Sequence, residues 1–167
     1  MAGAREAFRE HEHGACAKAA LARAEEAAKA RGLRLTPVRR RALEILLEAH
    51  RAVGAYEILE RLGKEGFGHQ PPVAYRALDF LVQHGFAHRV RRLNAFIACM
   101  APEHEGAPVL FICADCGKVA EIPEARVSEA IDAVAARLDF AVERASIEVQ
   151  GRCPACRDVK PDVKPEV

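Results

Sequence analysis

Through its first half the chain sets apolar residues at helical spacing. The segment up to about Arg31 is Ala-rich and charged with a thin apolar stripe, and predicts a helix. In LTPVRRRALEILLEAH, Thr36 stands where a cap is wanted, and Pro37 fits a first turn that has no use for an amide donor. Val38, Ala42, Ile45, Leu46 and Ala49 then share one face. GAYEILERLGKEG predicts a short helix between glycines, with Ile58, Leu59 and Leu62 inward. PPVAYRALDFLVQHG predicts the next, opened by Pro72 and stopped at Gly85, with Val73, Ala77, Leu78, Leu81 and Val82 toward the core.

The period then changes. FAHRV and AFIAC read as two short strands joined by a turn through Arg91, Arg92, Leu93 and Asn94. Three helices followed by a two-stranded hairpin is the layout of a winged helix-turn-helix, here residues 1–99 with a helical N-terminal extension. APEHEGAP, marked by Pro and Gly, predicts a hinge over 100–108. VLFICADCGKVAEI then predicts a strand pair, PEARVSEAIDAVAARLDF a helix with Val127, Ile131, Val134 and Leu138 on one face, and ASIEVQG a last strand. The expected fold class is α+β, with a small α/β unit over 109–157. A β-β-α-β unit of that size has a sheet edge and an apolar helix face to cover, and dimerisation would cover both. The tail over 158–167, DVKPDVKPEV within it, has nothing to bury and is expected to be disordered.

Charge changes this picture more than overall composition does. Residues 1–95 carry 17 Lys+Arg against 11 Asp+Glu, and residues 96–167 carry 8 against 13, so a net charge of +1 conceals a basic first half and an acidic second half. Only the first half suits a polyanion. The apolar runs are too short to span a bilayer, and MAGAREAFREHEH lacks the apolar core of a signal peptide, so the expected compartment is the cytoplasm, with no membrane partner. In that compartment six cysteines suit metal binding better than disulfides.

Cys113 and Cys116 raise a choice between a redox couple and half of a metal site. Cys153 and Cys156 repeat the spacing 37 positions after Cys116, one knuckle before a predicted helix and one after the following strand. Four thiolates converging on one Zn²⁺ fill its tetrahedron, which makes the site structural rather than catalytic. In small zinc modules such binding supplies about 10–16 kcal/mol of folding energy. A thiol oxidoreductase using the CxxC pairs is the alternative from another class, but no thioredoxin-like βαβ pattern lies beside them. A zinc deaminase needs P-C-x-x-C with H-x-E. The chain has Cys153-Pro154-Ala155-Cys156 and no His followed two positions later by Glu. No catalytic residue and no small-molecule substrate are expected; the chain does not read as an enzyme.

RLTPVRRRALEIL, GAYEIL, YRALDFLVQHGFAHRV, FICADCGKVAEI and GRCPAC together resemble the ferric uptake regulator family of bacterial metal-sensing repressors, and within it the zinc uptake regulators. The resemblance runs from about Arg34 to Cys156. It implies a homodimer with an N-terminal winged-helix domain and a C-terminal dimerisation domain holding a Cys-only structural zinc. The residues supply the DNA argument separately. On the helix from Pro72, Tyr75, Arg76, Asp79 and Gln83 cluster away from the apolar face. Arg76 could fork onto guanine O6 and N7 in the major groove, and Tyr75 could pack on a sugar-phosphate edge or a thymine methyl. Arg39, Arg40, Arg89, Arg91 and Arg92 would hold the phosphate backbone and make binding salt-dependent. Val73-Ala74 stands where the family has Thr-Val, which removes a hydroxyl from the helix start.

A repressor of this kind needs a second, exchangeable metal that binds two conformations differently. His88, Cys99, His104 and Glu121 match, by position relative to the Cys motif, the sensory zinc ligands of the zinc uptake regulators. The spacing before Cys113 differs from theirs, so that Glu103 or Glu105 could stand in for His104. A thiolate beside two imidazoles suits Zn²⁺, whereas iron-sensing relatives use His and carboxylate. His11, His13 and Cys16 in HEHGAC offer a further accessory group of metal-ligand identity. The resulting expectation is a zinc-responsive repressor of zinc-uptake genes, binding a palindromic operator in double-stranded DNA as a zinc-loaded dimer. An iron or peroxide sensor is the alternative within the family.

Overall fold

The computed structural model describes residues 8, 13–48, 51–102 and 106–158 of the 167. Ala49, His104 with Glu103 and Glu105, His11 and the tail beyond 158 lie outside them, as does the side chain of His13.

Helix α1, His13–Ala30, buries Ala20, Ala24 and Ala28, a stripe of three small side chains at four-residue spacing that lets it lie close against α2, Pro37–Leu47. Thr36 is the α2 cap residue and Pro37 opens the helix, yet the Thr36 side chain makes no capping hydrogen bond. Ala42, Ile45 and Leu46 are buried as their spacing predicts, while Val38 is half-buried. Leu43 and Leu47 are buried as well, because α2 is packed on several sides, by α1 and by the two helices and the strand over Ala55–Lys64, Pro71–Gln83 and Ala95–Ala98.

Strand β1, Val53–Gly54, precedes α3, Ala55–Lys64, whose Ile58 and Leu62 enter the core. A Cβ at Gly63 would lie 2.3 Å from the exposed His69 ring, which folds back over the helix end and would have to move. Helix α4, Pro71–Gln83, presents Ala74, Ala77, Leu78 and Leu81 to the core. Val73 is only half-buried, and Ala74 takes the buried position expected for it. The stripe 74, 77/78, 81 has an unbroken helical period, and residue 73 falls on its flank. Gly85, at φ +72°, ends the helix in a conformation that glycine adopts without strain.

The wing follows as β2, Ala87–Val90, a 3₁₀ turn at Arg91–Leu93, and β3, Ala95–Ala98, with Asn94 left-handed at φ 46°. Its sheet has three strands rather than two, in the order β1-β3-β2. β1 is only two residues long, too short for an alternating pattern to reveal.

The second sheet comprises β4, Pro108–Cys113, β5, Val119–Pro123, and β6, Ile147–Gly151, in the order β5-β4-β6. β4 pairs antiparallel with β5 and parallel with β6, with helix α5, Ala125–Arg137, in the crossover. A short helix α6, Pro154–Arg157, ends the described chain. Alternation divides this sheet into two faces. Leu110, Ile112 and Val119 form one apolar cluster with Val90 and Ile97 of the wing, so one face is pressed against β2 and β3. Phe111 and Val149, cross-strand partners on the other face, are exposed. So are Val134 (53%), Leu138 (72%) and Phe140 (65%) in and after α5, a large apolar surface for a single chain.

Candidate metal centres and nucleic-acid interface

Among the described residues two groups of donor side chains converge, one inside the C-terminal unit and one across the joint with the wing. In the first, the end of β4 and the loop after it carry Cys113 and Cys116, while the chain leaving β6 carries Cys153 and Cys156 into α6. The parallel pairing Cys113↔Gly151 brings the two knuckles side by side. All four sulfurs lie within 4.8 Å of one another, and Cys116 Sγ is 3.7 Å from Cys153 Sγ. Zn–S bonds of about 2.3 Å at tetrahedral angles put sulfurs about 3.8 Å apart, whereas a disulfide needs about 2.05 Å. The donor set therefore fits zinc.

The electrostatics agree. Burial pushes the Cys113 thiol up, but N–H groups of Cys116, Cys153 and Asp115 outweigh it and bring it down to about 6; the Cys153 amide is 3.3 Å from Cys113 Sγ. The hydrogen bond to Cys153, helped by the other two sulfurs, pushes Cys156 up to about 12. One thiolate is welcome in this cage and further ones are not, until a cation compensates them. Cys113 and Cys153 are buried.

The second group joins His88 on β2, Cys99 just after β3, and Glu121 on β5. Their ligand atoms also lie within 4.8 Å of one another. His88 Nε2 is 2.9 Å from Glu121 Oε1, and the Cys99 thiol donates to the same oxygen at 3.3 Å. The Met100 amide donates to Oε2 at 3.0 Å. Side-chain exposure is 17% for His88 and 8% for Glu121. Burial raises the Glu121 carboxyl, but the bond to His88, with Met100 and Cys99 behind it, holds it below the usual carboxylate range. An imidazole, a thiol and an ionised carboxylate facing one point are a zinc-type donor set. His104, the fourth expected member, lies outside the described residues. The group opens into a cleft of about 860 Å³ between the wing, the hinge and α5. Of the accessory set, Cys16 is half-buried on α1, and the rest is not described.

On α4, Tyr75, Arg76, Asp79 and Gln83 all face solvent. No ion pair joins Arg76 to Asp79 among the described residues. Arg39 and Arg40 are more engaged than their charge suggested. The Arg39 guanidinium lies 3.6 Å from the Phe80 ring centre and donates to the Arg34 carbonyl, while Arg40 pairs with Glu25 and Glu44. Arg89 donates to Asn94 Oδ1, and Arg91 and Arg92 point outward at the wing turn. Tyr56 at the start of α3 is 72% exposed, an aromatic to which the apolar pattern gave no role.

The profile of the Ferric uptake regulator family matches residues 30–150. The zinc uptake regulation protein of Escherichia coli (strain K12) is 37% identical over 149 residues, spanning 87% of this chain and 86% of that protein. Among solved structures, a zinc uptake regulator complexed with zinc and DNA superposes with a TM-score of 0.78 at 34% identity, over 84% of this chain and 95% of that one. Holo XcZur gives 0.76 at 35% identity, over 83% and 97%. No described helix is long and apolar enough to cross a membrane.

Proposed function

The chain belongs to the ferric uptake regulator family, and from that premise we propose that it is a zinc-responsive, DNA-binding transcriptional repressor that acts as a homodimer on zinc-uptake genes. The observation that carries this reading is the meeting of His88, Cys99 and Glu121, contributed by both units, at one point of their joint. Zinc held there supplies a bond between the units that is present only when the ion is available. His88 and Cys99 fix the wing, Glu121 fixes the sheet, and His104 would close the set. Cys113, Cys116, Cys153 and Cys156 would hold a structural zinc with no open position. The thiolate of Cys99 favours zinc over iron.

The residues of the first half do the reading. Tyr75 and Arg76 stand on the exposed face of α4, with Arg76 placed to specify a base and Tyr75 to pack beside it. Arg91 and Arg92 would meet phosphates at the wing, and Arg39 and Arg40 would have to exchange their internal partners for phosphate. Residues 1–99 would form the DNA-binding domain, 100–108 the hinge and 109–157 the dimerisation domain, whose exposed Phe111, Val134, Leu138, Phe140 and Val149 would be covered in the dimer. Four sulfurs drawn together in one cage, rather than one exposed pair standing apart, favour a metal site over a thiol oxidoreductase, and a non-enzymatic role in the cytoplasm is the consistent reading. Titrating full-length dimer onto operator DNA across buffered free zinc tests the proposal. Tight binding at high zinc and its loss at low zinc is expected; equal binding at all zinc levels overturns it.

A further inference from the structure

The joint between the units is held at a second place by Glu148, a residue of β6 that belongs to neither metal centre. Its Oε1 accepts the Arg91 amide at 2.6 Å and its Oε2 the Arg92 amide at 3.1 Å. These amides open the 3₁₀ turn between β2 and β3, whose own cap residue, Val90, offers no side-chain hydrogen bond. One carboxylate from the C-terminal sheet therefore caps the wing turn with both oxygens, a charge-assisted arrangement.

The registers place this contact in line with the metal centre. Leu110 of β4 pairs with Glu121 on β5 and with Glu148 on β6, so the three residues form one row across the sheet, on the face that meets the wing. With strands about 4.8 Å apart, the two carboxylate-bearing strands are about 10 Å apart. On the wing, His88 and Arg91 are three residues apart on β2 and its turn, again about 10 Å at about 3.3 Å per residue. Strand β2 thus runs along the row, with His88 on Glu121 at one end, Arg91 on Glu148 at the other, and the buried Val90 and Leu110 in one apolar cluster between them.

A joint fixed at one point can still turn about it; the Glu148 grip and the packed contact beside it add to the Arg51–Lys118 backbone bridge in limiting that turn. Taking the function proposed above as premise, we propose that Glu148 is a positioning residue for metal sensing: it holds the wing in the orientation that brings His88 and Cys99 to Glu121. Because zinc binds the docked arrangement, any loss of that arrangement lowers the apparent zinc affinity by the same factor as the docked population.

The test compares full-length wild type with Glu148→Ala and the near-isosteric Glu148→Gln, each carrying its Cys-held zinc. Two readouts are taken: amide exchange at Arg91 and Arg92 in protein free of the exchangeable zinc, and the free-zinc midpoint of operator binding. Exchange at both amides should accelerate about tenfold in Glu148→Ala, and the midpoint should move to about tenfold higher free zinc, with Glu148→Gln between. Operator binding at saturating zinc should recover. Unchanged exchange in both variants overturns the grip, and faster exchange with an unmoved midpoint overturns its link to sensing. If wild type shows no zinc-dependent operator binding, the functional premise fails, while exchange in the variants still decides whether Glu148 grips the wing.

Discussion

The two donor clusters are built from overlapping chemistry and differ in where their ligands come from. The cysteine cage takes all four sulfurs from two knuckles of one small unit, brought together by the pairing of β4 with β6. The other cluster takes His88 and Cys99 from the wing and Glu121 from the neighbouring sheet, across a joint that also holds five buried apolar side chains, the Glu148 contact and a backbone bridge between Arg51 and Lys118. An ion in the first would hold a fold together; an ion in the second would hold an arrangement of two folds. On the proposed reading, the difference between a structural and a regulatory metal is set by topology as much as by ligand type.

Removing one ligand from each centre should produce failures of different kind. Cys153→Ser should release the cage zinc and unfold the C-terminal unit, since about 10–16 kcal/mol of metal-linked folding energy exceeds what so small a core supplies. Loss of the dimer by size exclusion, with one zinc fewer per chain, checks this; a stable dimer would erase the distinction between the centres. Cys99→Ser should leave the dimer and the cage zinc intact but remove zinc-dependent operator binding, a loss of more than about 100-fold if the metal supplies most of the several kcal/mol needed to shift a two-state balance. Zinc content and operator titration read the two effects separately.

Arg76→Ala lies outside both centres and should weaken specific operator binding by about 1–3 kcal/mol while leaving zinc content and non-specific DNA binding as they were. The smallest effect is expected from acid. Burial raises Glu48, but Arg61 and Arg41 hold it below the usual carboxylate range. Its contribution is present above the unfolded-state carboxylate value of about 4.3 and is lost as pH falls through the lower folded value. Glu48→Gln should therefore narrow the stability difference between neutral and acidic pH slightly, without changing zinc activation; a shift in activation would tie α2 to the joint.

Most elements were legible because their local patterns were undivided. The α2 and α3 stripes, the wing turn and the β-β-α-β order followed from spacing and turn residues. Strand β1 escaped because two residues carry no period, and the core face of α4 centred on Ala74 rather than Val73 because a helix stripe wider than one residue does not announce its midline. The CxxC repeat revealed the cage on its own, since a knuckle is a local structure. His88, Cys99 and Glu121 are scattered over 34 positions, and only their resemblance to a known family linked them before the fold did.

By itself the sequence determined the alphabet of elements, the pairing of two cysteine knuckles and the basic character of the half that carries Arg76, because each depends on neighbours along the chain. The tertiary structure alone decided that Arg39 and Arg40 are engaged by Phe80, Glu25 and Glu44, and that Glu121, Leu110 and Glu148 stand in one row beneath the wing. Such facts come from the register of strands far apart in sequence, and a shift of one residue would turn both carboxylates to the opposite face.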